Sequence, residues 1–189
     1  RAPDIDAVVV DNFSGAYTAT RYLIQQGHER IAIVRWNVSG DPASSKKFAG
    51  YQCALNEVGK EVRPEYVVES PYTRKDDIQP ARVALEQLLS LPEPPTAVFV
   101  ENSFISPPLI YPNDPSEREV PKAIRDLDIV HFEAWHLTWL EQVMAGKLSF
   151  PRRNVKLLRI NWEELGRTAG KLLLSRIEGA EREGKTLQL

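Results

Sequence analysis

The chain carries a single cysteine, Cys53, among 189 residues. No intrachain disulfide can form, and nothing calls for an oxidising compartment; a reducing cytoplasm fits. A basic surplus is also missing: 24 Lys and Arg stand against 26 Asp and Glu, for a net charge of -2. The cationic excess that drives nonspecific binding to nucleic acid is therefore lacking, and any contact with DNA must come from another segment. No run reaches the roughly 18 uninterrupted apolar residues of a membrane span. The opening Arg1-Ala2-Pro3-Asp4 does not have the charged-then-apolar layout of a signal peptide. Neither a G-x-x-x-x-G-K-S/T loop nor a G-x-G-x-x-G turn is present, so nucleotide phosphates have no prepared cradle. A metal would have to rest on His131, Glu133 and His136, whose spacing suits neither a helix face nor a zinc finger, so neither a metal nor a cofactor is called for. Cys53 sits within a helical pattern with no capping position to activate it and reads as a structural thiol.

With 42% hydrophobic and 26% charged residues the chain can bury a core of its own. Apolar runs of four to six residues alternate with segments of helical period almost from end to end, the pattern of stacked βαβ units and a parallel sheet. Strands are predicted at 7–10, 31–36, 66–68, 96–100, 127–132 and 155–160. Helices are predicted at 14–26, 45–58, 76–89 and 138–145, with a last one from an Asn161/Glu164 cap to Gly179 whose Leu165, Ala169, Leu172 and Leu173 face inward. Five prolines between Phe104 and Pro121 break any long helix there, giving an irregular insertion. The last ten residues, 180–189, are polar and read as a tail, either frayed or a return segment.

In open parallel sheets ligands bind beyond the carboxyl ends of the strands. The residues following each apolar run are polar or aromatic: Asp11, Asn12, Phe13 and Ser14, then Trp36 and Asn37, Glu69 and Tyr72, Asn102 and Ser103, and Glu133 with Trp135 and His136. Aromatic walls with a few directional partners suit a sugar or a heterocycle. Strand ends are also solvated in any such fold, and both readings stand at this point.

The block Val8-Val9-Val10-Asp11-Asn12, Gly15-Ala16-Tyr17, Ala19-Thr20, Tyr22-Leu23-Ile24, Gly27-His28 and Arg30-Ile31-Ala32 closely resembles the effector-binding domain of LacI/GalR-type transcriptional regulators. Phe48-Ala49-Gly50-Tyr51, Pro95-Thr96-Ala97-Val98-Phe99 and Leu165-Gly166-Arg167 continue the likeness in the same order. The resemblance implies a periplasmic-binding-protein-like α/β fold of two doubly wound parallel-sheet lobes with a ligand in the cleft. It assigns 1–35 and 159–179 to an incomplete N-terminal lobe and 36–158 to a C-terminal lobe. It also implies a helix-turn-helix domain outside this chain, through which DNA is bound, and a homodimer in the full-length protein. The family's cleft arginine is replaced by Lys47 and its acidic residue after the fifth strand by Glu133, while Asn102 keeps its asparagine and Tyr72 its stacking aromatic. A lysine is a point charge instead of a bidentate fork, so the family's ligand geometry does not carry over unchanged. Lys47, Tyr72, Asn102 and Glu133 are expected to converge with Trp36, Asp11 and Ser14 on one cleft.

These features imply a cytoplasmic sensor, with a small metabolite such as a sugar as its partner and no membrane partner. A solute-binding protein for transport is the alternative. A flavodoxin-like enzyme is a third reading, for which no nucleophile and base pair is readable.

Overall fold

The computed structural model describes residues 5–37, 40–71, 79–101, 122–133, 154–179 and 184–189. They fall into two compact units, one of Arg1–Asp11 with Ile160–Leu189 and one of Asn12–Arg159. The larger unit holds helix α1 (Asn12–Gln25), strand β2 (Ile31–Asn37), helix α2 (Pro42–Asn56), β3 (Val67–Pro71), α3 (Gln79–Leu89), β4 (Ala97–Val100), a short α4 (Lys122–Arg125), β5 (Asp128–Glu133) and β6 (Val155–Arg159). Its five strands run parallel in the order β3-β2-β4-β5-β6. The sheet is thus extended from β2 in both directions, and the chain reverses its winding between β2 and β4. That reversal is the switch point at which doubly wound sheets open a crevice.

Both faces of the sheet are covered, which explains the nearly continuous apolar strands. On one face Ala32, Val34, Val98, Val100 and Ile129 pack with Ala84, Leu85 and Leu88 of α3 and with Ile124 of α4. The alternate residues Ile31, Ile33, Ala97 and Phe99 are equally buried, and Ala16, Ala19 and Leu23 of α1 with Tyr51, Ala54 and Leu55 of α2 complete the core. Gly27, at φ +89°, stops α1 as its position in the sequence predicts. Two glycines let α1 sit close: a Cβ on Gly50 of α2 would lie 2.3 Å from the Phe13 carbonyl oxygen, and one on Gly15 would lie 2.5 Å from the Phe132 ring.

Several elements differ from the sequence reading. Helix α2 starts at Pro42, earlier than the predicted Ser45, because Asp41 caps it by accepting from the Ala43 and Ser44 amides and Pro42 suits the first turn. Val58 lies beyond its end and is exposed. Residues 12–35, expected to join 159–179, group instead with the larger unit, since α1 packs on α2 and β5 and β2 is an inner strand of the sheet. The predicted irregular stretch 104–121 and helix 138–145 lie outside the described residues.

The smaller unit contains β1 (Ala7–Val9), helix α5 (Trp162–Ile177) and β7 (Thr186–Gln188). The polar tail is not free: β7 pairs in parallel with β1, Ala7 opposite Thr186. Asn161 caps α5 by accepting from the Glu164 amide, as predicted. Of its predicted stripe Leu165 and Leu172 are half-buried while Ala169 and Leu173 are exposed, Leu173 at 62%, and no residue of α5 is fully buried. A sheet of two strands offers too little surface to cover four helical turns. Among the described residues no helix is long and apolar enough to cross a membrane.

Candidate functional site

At the carboxyl edge of β2 and β4 the larger unit buries charge. Because α2 follows β2 and returns along the sheet, its first turns lie over this edge, and Ser44, Lys47, Tyr51 and Ala54 form the stripe that α2 turns inward. The first two of these are polar. Glu101, the residue after β4, donates its amide to the Val34 carbonyl at 3.1 Å and is 0% exposed. Burying a carboxylate is costly unless it is paired, and its partners are at hand. The Ser44 hydroxyl donates to Glu101 Oε1 at 2.7 Å, and Arg35 Nε lies 3.9 Å from Oε2. Arg35 also donates from Nη2 to Ser44 Oγ at 3.1 Å, faces Glu69 at 3.8 Å across the β2–β3 ladder, and lays its guanidinium 4.4 Å over the Phe48 ring.

Lys47, 7% exposed, donates to the backbone carbonyl of Glu101 at 2.8 Å and holds its ammonium 4.6 Å above the ring of Phe132. Burial pushes the Lys47 amine below its ordinary value, and the negative charges of Glu101 and Asp41 oppose that shift. The result is a fixed cation at the switch point, braced by a carbonyl and an aromatic face.

The sequence-predicted residues divide accordingly. Lys47 is in the site. Ser14 is exposed on the first turn of α1, which begins at the same carboxyl edge, while Trp36 and Glu133 occupy the ends of β2 and β5. Asp11 belongs to the smaller unit, where its amide donates to the Leu189 carbonyl. Tyr72 and Asn102 lie outside the described residues, as does His136; His131 is buried within β5. Sequence reasoning missed Arg35, Ser44 and Glu101. The signal available was a charged residue inside the apolar run Ile31 to Trp36 and another directly after Ala97 to Val100.

The opposite, amino edge holds a second polar group. His28 Nε2 donates to Asp128 Oδ2 at 2.9 Å and its Nδ1 faces Thr96 Oγ1 at 3.0 Å, beside a small cavity lined by Tyr22, Gln26, Asn154 and Lys156.

The profile of the family described as "Periplasmic binding proteins and sugar binding domain of LacI family" matches residues 1–106. The chain belongs to this family. Among LacI-family relatives, the HTH-type transcriptional repressor CytR of Escherichia coli K12 is 30% identical over 180 residues, covering 94% of this chain and 48% of that protein. A putative transcriptional regulator LacI from Bacillus cereus subsp. cytotoxis aligns over 100% of this chain and 61% of its own, with 25% identity and a TM-score of 0.64. The transcriptional regulator CelR–cellobiose complex aligns over 100% of this chain and 52% of its own, with 23% identity and a TM-score of 0.71, a likeness of fold. The fold is thus periplasmic-binding-protein-like, and the chain spans about half the length of the curated relatives it matches.

Proposed function

We propose that the chain is the effector-sensing part of a LacI-type transcriptional regulator in the bacterial cytoplasm. A small polar metabolite, a sugar or a related compound, enters the cleft at the carboxyl edge of β2 and β4. Its binding changes the affinity for DNA of a helix-turn-helix domain elsewhere in the protein, which acts as a homodimer. The observation that carries this reading is Lys47: a buried ammonium held at the switch point, where this class of sheet receives its ligands. Tyr72, Asn102, Glu133, Trp36 and Ser14 complete the proposed ligand set in the larger unit. The repressor names of the relatives and the cellobiose bound by CelR support the direction of the proposal. No nucleophile and base are drawn together at this edge among the described residues, and the role proposed is binding.

The test is a thermal-shift screen of sugars, polyols and nucleobases on the full-length protein, followed by fluorescence anisotropy with an operator duplex. A compound that stabilises the protein is expected to change its affinity for DNA about fivefold to 150-fold, the usual span of a coupling between two sites. Stabilisation with DNA affinity unchanged would remove the regulatory reading and leave a solute-binding protein.

A further inference from the structure

Both described cations at the crevice are answered by one residue. Lys47 is tied to the Glu101 carbonyl and Arg35 faces the Glu101 carboxylate, with Ser44 bridging the two side chains. We infer that Glu101 is a specificity-determining residue of this crevice, a buried carboxylate that keeps anionic ligands out; the inference rests on the reading of this edge as the ligand site. A phosphate or carboxylate group on a ligand is held best by the fork of an arginine or by an unshared ammonium. Here the fork of Arg35 already meets Ser44, Glu69 and Glu101, and one flat face is covered by Phe48. Glu101 is fully buried, so no ligand touches it. It acts through its field, which the protein interior screens far less than water does. Glu69 adds formal negative charge to the same edge, while Glu133 at the end of β5 stands in register with Arg159 of β6. A neutral polyhydroxylated or heterocyclic ligand needs no spare cation and is not penalised. A sugar acid or sugar phosphate is.

Inorganic phosphate is the probe, titrated by calorimetry into the full-length protein against chloride at equal ionic strength. The wild type is expected to show no saturable phosphate binding in the millimolar range. Glu101→Gln keeps an acceptor for Ser44 while removing the charge, and should bind phosphate at least about tenfold more tightly than wild type. Adding Lys47→Met to it should erase the gain. Glu69→Gln, at a half-exposed position, unloads the same guanidinium without disturbing the interior and should shift affinity the same way by about twofold to threefold. It carries the test should Glu101→Gln not fold. Saturable binding to the wild type that Lys47→Met abolishes, or no gain in either carboxylate variant, would overturn the inference. The reading of the site fails separately, when Lys47→Met leaves the affinity for the effector found in the screen unchanged.

Discussion

Arg176 grips Asp6 through two hydrogen bonds of 2.7 Å, Nε to Oδ2 and Nη2 to Oδ1. The same carboxylate accepts the Lys185 amide at 2.8 Å, so one side chain at the start of β1 fastens both the end of α5 and the entry to β7. In a unit whose helix buries no residue fully, this clasp adds to the β1–β7 ladder and to the packing of α5 on β1. The side-chain bond from Arg176, then the Lys185 amide, hold the Asp6 carboxyl at about 2, well below its ordinary 3.8.

The sign of the pH dependence follows. A carboxyl whose folded value is depressed stabilises the fold fully above its unfolded value and loses that contribution as pH falls through the folded one. Between the ordinary 3.8 and about 2 the smaller unit is therefore expected to loosen. Amide exchange at Lys185 and along β7, corrected for intrinsic rates, should accelerate in that window, and Asp6→Asn should show the faster exchange already at neutral pH. Equal protection in the variant and the wild type would remove the clasp from the account.

Gly50→Ala should destabilise the larger unit by about 1–3 kcal/mol, because its Cβ meets backbone atoms of α1, which cannot rotate away as a side chain can. In a chain of this size that is a fall in Tm of roughly 2–12 °C. Calorimetric scanning decides it. A Tm within a degree of wild type would mean that α1 and α2 have room to part.

At the site, Lys47→Met and Glu133→Gln should each weaken effector binding about tenfold to a hundredfold, the cost of one charge-assisted hydrogen bond. Titration calorimetry on the full-length protein reads it. A change smaller than about a factor of two would make Lys47 an internal brace and Glu133 a surface carboxylate.

The pair at the amino edge is expected to matter for stability only. His28→Ala and Asp128→Asn should each cost about 0.5–1.5 kcal/mol, the net worth of an ordinary hydrogen bond, and the double variant little more than either, since the two share one contact. Urea midpoints give the answer, and additive losses would show that the residues act apart.

Much of the fold was legible because strands buried on both faces write themselves as apolar runs and because Gly27 and Asn161 punctuate helices by local geometry alone. What sequence periodicity hid was polar. Ser44 and Lys47 occupy the buried stripe of α2 beside Tyr51, yet a hydrophobic count skips them. Arg35 stands inside one apolar run and Glu101 directly after another, and only the pairing of β2 with β4 brings them together. The likeness to LacI-type regulators pointed to Lys47 as a departure from an arginine, but not to the buried carboxylate whose carbonyl receives it. In α5 the periodicity was real but only Leu165 and Leu172 of the expected stripe are half-buried, because period reports which residues share a side and says nothing of what lies opposite.

Phe132 touches the ammonium of Lys47 on one side and the backbone of α1 at Gly15 on the other, and α1 in turn rests on the bare backbone of α2 at Gly50. A methyl group at either glycine would have to push its neighbour aside, so the close approach of ring, helix and helix along this line depends on both positions staying bare.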